Sequence, residues 1–277
     1  MSAETVSDQG IYGPGSLTWR LGRERVMLLG GPRALLLQVA HPLVAAGVVD
    51  FSSFRSDPLS RLRRTLDSTL TLIFGTTDEA SKAAARINTV HSQVHGALSE
   101  TAGRFPVGTR YDATDPELLL WVHATLVDTT FTVYTRFVGP LSDTDLDRAY
   151  EESKTAARML GVPEACIPSN ASAFKGYVDD MLASDRLAAA PFQQAIVRDV
   201  LYPPLRFVPR AMHWPTVAVT TALLPARVRD LFGLELTPVR RLAAGWLRRG
   251  VRGILPVVPK VLRDMPQARR AVRRSAA

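Results

Sequence analysis

Residues 115–137 read DPELLLWVHATLVDTTFTVYTRF. Asp115 ahead of Pro116 is a helix-start signal: a carboxylate accepts from the first free backbone N–H groups, and proline at the first helical position gives up only an N–H that would have no partner there. From Leu118 onward the segment is apolar nearly all round rather than along one stripe, the pattern of a helix enclosed by others. No run in the chain keeps the period-two alternation of a half-buried strand. The expected fold is therefore all-α, a helical bundle with residues 115–137 at its centre.

The flanking sequence extends the pattern in both directions. WRLGRERVMLL (residues 19–29) begins a first helix, and GGPRALLLQVAHPLVAAGVVDFSSF (residues 30–54) restarts with Pro32 in a first turn. Pro42 removes a helical hydrogen bond and clashes with the carbonyl of Gln38, so that helix should bend, with His41 at the bend. In SDPLSRLRRTLDSTLTLIFGT (residues 56–76), Asp57 is the expected N-cap, Pro58 the first helical residue and Gly75 the stop. A long helix is expected from about Asp78 to about Gly103, then a loop, RFPVGTRYDATD. Helices near 142–160 and 169–184 follow. YPPLRFVPRAMHWP is irregular, and two or three shorter basic helices close the chain.

A chain of 277 residues, 46% hydrophobic and 22% charged, can bury a full core. One domain over residues 1–277 is expected, with a core at about 17–200 and a basic C-terminal helical appendage at about 215–277. The net charge of +8 is a C-terminal property: residues 225–277 carry 13 Lys/Arg against three Asp/Glu, and residues 1–224 carry 21 against 23. The single cysteine, Cys166, excludes an intramolecular disulfide and any CxxC site, which fits a reducing compartment. The polar, acidic opening MSAETVSDQGIYGPG has no apolar core of a secretory signal. The longest uncharged runs, 34–49 and 211–226, are 16 residues each, short of a membrane span. A cytoplasmic protein is the expectation.

Five histidines are present, and two stand four apart in RINTVHSQVHG (residues 86–96). If this segment is helical, Ala84, Ile87, His91, Val94 and Leu98 share one stripe at about 100° per residue, with His95 about 40° further round. A neutral imidazole aimed at an apolar interior suits haem iron, and an i,i+4 pair can bind zinc; two core histidines that merely pack fit the same spacing. The zinc reading lacks the glutamate of HExxH. On the helix after Asp57, Leu59, Leu62, Leu66, Leu70 and Ile73 form a core stripe, while Arg61, Arg64 and Thr65 share another face. That face either meets water or overhangs a cofactor, where guanidinium groups and a hydroxyl donate hydrogen bonds. His41 sits at the proline bend, and His123 on the central helix must be buried and in need of a partner.

Taken in order, RALLLQVAHPLVAAGV, DPLSRLRRTL, FGT, VHSQVHG, DPELLLWVHATLVD and LGVP resemble the MpaB-type oxygenase family, which includes latex-clearing rubber oxygenases and an oxygenase of mycophenolic acid biosynthesis. The resemblance spans about Leu29 to Leu182. It implies an all-α fold with a globin-like core, a b-type haem held by one histidine, and dioxygen with an apolar small molecule as reactants. His91 falls on the position of the proximal iron ligand, and Arg61, Arg64 and Thr65 fall on the distal arginine, lysine and threonine of the rubber oxygenases. His41, His95 and His123 are further candidates to line or support the cofactor. Two departures stand out. Arg64 replaces a lysine, and a guanidinium cannot lose its proton to ligate iron. The rubber oxygenases also carry a distal glutamate before this motif, and between Arg25 and Arg61 the only acids are Asp50 and Asp57.

The implied function is a haem-dependent oxygenase; a haem-binding sensor or carrier without turnover is the alternative. The basic C-terminus lacks the interleaved aromatics of single-strand binders and any DNA-reading motif, so nucleic acid is not an expected partner. Its mixture of apolar positions and clustered arginines allows a peripheral membrane contact or a packed helix with a solvated basic face.

Overall fold

The computed structural model describes residues 8–51, 58–203 and 208–275, and only the backbone of residues 58–64 and 275. The described chain is mostly helical. α1 (Leu17–Gly22) and a 3-10 turn (Arg25–Gly30) lead into α2 (Gly31–Val39) and α3 (Pro42–Phe51). The expected bend at Pro42 is a full break: residues 25–39 and 42–51 lie at 108° to one another. His41 sits in the corner, and its carbonyl accepts the first hydrogen bond of α3, from Ala45 N–H at 3.0 Å.

α4 (Pro58–Phe74) starts at the expected proline and ends before Gly75; Asp57, its expected N-cap, lies outside the described residues. Two residues later α5 (Thr77–His91) begins, fixed by a reciprocal cap in which Thr76 Oγ1 accepts from Glu79 N–H and Glu79 Oε2 accepts from Thr76 N–H. With so short a connection the two helices form an antiparallel hairpin, sealed by Leu72 against Ala80, Ala83 and Ala84. Leu66, Leu70 and Ile73 of α4 face a different cluster with Trp19, as the core stripe requires; Leu59 and Leu62 are beyond the described side chains.

The expected helix to about Gly103 stops at His91. The chain turns through Ser92–Val94 into β1 (His95–Ala97), which pairs antiparallel with β2 (Arg110–Asp112) in the register His95↔Asp112, Gly96↔Tyr111, Ala97↔Arg110. This hairpin is the departure from the strand-free expectation. Tyr111, buried against α3, is its cause: a Cβ at Gly96 would lie 2.6 Å from Tyr111 Oη, and one at Gly47 would lie 3.1 Å from Val94. Leu98, Ala102, Phe105 and Val94 complete the cluster with Ala46. Non-local packing thus overrides a helical period that Gly96 already weakened by about 1 kcal/mol.

α6 (Pro116–Phe137) is the central helix: no residue from Leu118 to Tyr134 is exposed. It packs against α2, the 3-10 turn and α7 (Asp143–Met159). Arg33, itself buried, joins three elements: it donates to Asp128 at 2.7 Å, to Thr129 Oγ1 at 2.6 Å and to the carbonyl of Leu223 at 2.9 Å. α8 (Ala171–Ala183) and α9 (Pro191–Leu201) close the largest core cluster with Leu36, Leu37 and Trp121. α10 (Trp214–Leu223) is buried beside α6, followed by α11 (Ala226–Leu231), α12 (Pro238–Ile254), α13 (Lys260–Arg263) and α14 (Pro266–Ser275). The chain end folds back onto the start: Met265 N–H donates to Arg23 O, Arg263 pairs with buried Glu24, and Ala268 and Ala271 pack on Trp19, Leu70 and Phe74.

Candidate oxygenase site

Because the α4–α5 hairpin turns at Gly75–Thr76, the start of α4 and the end of α5 come to the same end of the hairpin. At 1.5 Å per residue, positions 61–65 stand about 14–20 Å from the turn, and position 91 about 21 Å from it. The topology therefore places the backbone of residues 61–65 and His91 in the half of the hairpin remote from its turn. The side chains of Arg61 and Arg64 lie outside the described residues. Thr65 is exposed, and its carbonyl accepts from Thr69 Oγ1 at 2.9 Å.

His91 is the last residue of α5. Its ring is partly buried, Nδ1 is fully buried, and this nitrogen meets no partner among the described residues. Burial lowers the imidazole's pKa, which favours the neutral form that can offer a lone pair. Asn88, one turn earlier, holds the helix against α7 by donating to Met159 O at 2.9 Å.

His95 departs from its expected place. With α5 ending at His91, it is not one helical turn further along the same helix but on β1, exposed and opposite Asp112, so the 40° offset does not describe the pair. Among the described residues no group of three or more His, Cys, Asp or Glu could hold a metal ion by itself. A cofactor metal taking one protein nitrogen needs no such group.

The other two candidate histidines, His41 and His123, are buried more deeply. His41 has its ring 5.4 Å from that of Phe105, tilted 47°, and its Nδ1 has no partner among the described residues. Its pKa falls to about 4, first through burial and then through the nearby positive charges of Arg186 and Arg104. His123 on α6 likewise falls to about 4 by burial, and its Nε2 is unpartnered among the described residues, contrary to the expectation that a buried histidine finds a partner.

Residues outside the sequence motifs hold the His41 corner. Gln193, fully buried at the third position of α9, donates through Nε2 to the carbonyls of Val39 (2.8 Å), Ala40 (3.1 Å) and Ala188 (3.0 Å), while its Oε1 accepts from Ala190 N–H (2.8 Å). It therefore satisfies carbonyls that the α2–α3 break leaves free. No sequence signal pointed to it, because its partners are main-chain atoms up to 154 residues away. The acids near the motif are engaged elsewhere. Asp50 accepts from Tyr111 Oη at 2.5 Å, and Glu24, just before the glutamate-free window, pairs both oxygens with Arg263. Asp57 lies outside the described residues.

The described chain is a helical bundle whose α4–α5 hairpin carries the backbone of Arg61, Arg64 and Thr65 on one helix and His91, with its orphaned ring nitrogen, at the end of the other. The chain belongs to the family described as ER-bound oxygenase mpaB/B'/rubber oxygenase, catalytic domain, whose model matches residues 18–254. Two curated relatives, both described as uncharacterized, come from Mycobacterium bovis and Mycobacterium tuberculosis. Each is 28% identical over 220 residues, covering 77% of this chain and 82% of the relative. No solved structure matches the chain.

Proposed function

We propose that the protein is a haem b-dependent oxygenase acting on an apolar small molecule, with His91 as the iron ligand. The observation that carries this reading is the orphaned, buried ring nitrogen of His91 at the open end of the α4–α5 hairpin. Membership of an oxygenase catalytic-domain family supports dioxygen and an organic compound as reactants. The donor set fits the group: one neutral imidazole for the metal, and two guanidinium positions and a hydroxyl on α4 for anionic propionates or a polarised oxygen. Bound haem would supply the redox-active iron at which dioxygen is reduced.

The chain's own part is to hold and to polarise. His91 fixes the cofactor's orientation from the end of α5. Arg61, Arg64 and Thr65 would supply hydrogen-bond donors that stabilise negative charge on the bound group. His41 and His123, held neutral by burial, are proposed to line the cofactor's surroundings without charging them. Asp50 and Glu24 hold Tyr111 and Arg263, which leaves neither carboxylate free as a base.

That engagement favours a second reading, a haem-binding sensor or carrier with no turnover. Ferrous protein mixed with dioxygen, with and without apolar alkenes, separates the two. The oxygenase reading expects an oxygenated product; decay of the ferrous form without product supports the carrier.

A further inference from the structure

We infer that α12 and the residues after it form a docking face for anionic phospholipid bilayers. One side of α12 packs into the protein through Val251, which joins Val133, Phe137, Val219 and Leu223. The remaining arc faces solvent and divides in two. At about 100° per residue, Leu242, Trp246, Val239 and Ile254 fall in one sector, all exposed, Trp246 to 64%. Arg241, Arg248, Arg249 and Arg252 fall in the adjoining sector. Apolar exposure continues along the chain at Val257, Val261 and Leu262. Solvent-exposed large apolar residues of this density mark an interaction surface.

Charge decides what that surface meets. Residues 236–263 hold seven cationic side chains and no acid. Arg263 is held by Glu24, Arg240 donates to the carbonyl of Glu235 at 2.7 Å, and Arg249 lies 5.7 Å from the centre of the Trp246 ring. A second copy of this chain would bring like charge against like charge. A nucleic acid would satisfy the arginines and leave Leu242, Val239 and Ile254 in water. A bilayer with anionic headgroups answers both sectors at once: aliphatic residues and tryptophan enter the acyl boundary while guanidinium groups pair with lipid phosphates.

The test uses the full chain with vesicles of phosphatidylcholine alone and of phosphatidylcholine with phosphatidylserine, at low and high salt. Binding to the anionic vesicles, weakened by salt, is expected, with a blue shift in emission that Trp246→Ser removes. Each surface arginine contributes about a factor of five to partitioning, so changing Arg241, Arg248, Arg249 and Arg252 to glutamine should lower it by roughly 10²–10³-fold, while changing them to lysine should retain most of it. Arg241, Arg248 and Arg249 are exposed and Arg252 half-buried, and circular dichroism checks that the fold is kept. Equal binding to both vesicles, binding to neither, or a glutamine variant that binds undiminished overturns the proposal. So does self-association that buries Trp246 without lipid, or capture of duplex DNA in preference to vesicles.

Discussion

Gln193→Leu is the sharpest test of how the candidate site is held. Leucine keeps the volume but makes no hydrogen bond, so the carbonyls of Val39 and Ala188 and the N–H of Ala190 lose their side-chain partner in a buried corner; Ala40 O keeps its bond from Ala188 N–H at 2.9 Å. Each buried polar group left unpaired costs about 1–3 kcal/mol. With some relief from water entry, the total should be about 4 kcal/mol. At roughly 2 °C per kcal/mol for a chain of this size, the melting temperature should drop by about 8 °C. Gln194→Leu, next door and exposed with one bond of 3.2 Å to Ala189 O, serves as control and should change stability by less than about 0.5 kcal/mol. Thermal and urea unfolding of both variants give the numbers. A Gln193→Leu loss below about 1 kcal/mol, or equal losses at the two positions, would refute the role assigned to this side chain.

Stability should also fall with acid. His123 goes from an ordinary 6.5 to about 4 on folding, so the unfolded chain binds its proton first. His123's contribution is whole above the unfolded value and is lost as pH drops from 6.5 to 4, by about 3 kcal/mol; His123→Phe without added haem should remove that share of the slope and leave the share of His41, which falls to about 4 as well, and an unchanged slope would contradict it. Arg263→Met leaves Glu24 buried with Arg23, at 3.8 Å, as its remaining cationic partner among the described residues, and should cost about 3 kcal/mol, part of which Glu24→Gln in the same chain restores. Ferric protein should take up azide or imidazole readily, since Arg64 cannot cap the iron as a lysine would; a ferric form that resists both and shows a bis-nitrogen low-spin spectrum goes against this.

How much of this was legible in the sequence follows the range of the forces involved. Local signals sufficed for α4, α6 and the His41 corner, because Pro58, the Asp115–Pro116 start, the Gly75 stop and the proline at 42 act within a turn of themselves. The end of α5 was not legible. The period through Val94 and Leu98 is that of a helix, and both residues do face inward, but they do so from a hairpin shaped by Tyr111 against Gly47 and Gly96. The contacts of Gln193 with Val39 and Ala40 and the Glu24–Arg263 pair were invisible for the same reason, their partners being 153 to 239 residues distant. His91 had its place on the expected apolar stripe and ends α5 partly buried, whereas His95, expected about 40° further round, left that helix altogether when it ended at His91.

The central claim is that His91 holds haem iron, and haem content per folded chain tests it most directly. Wild type, His91→Ala and His95→Ala are reconstituted with haem, with circular dichroism to confirm folding. Haem bound by wild type and by His95→Ala, with little or none retained by His91→Ala, is the expected result. Full haem content with an unchanged axial-ligand spectrum in His91→Ala would contradict the assignment.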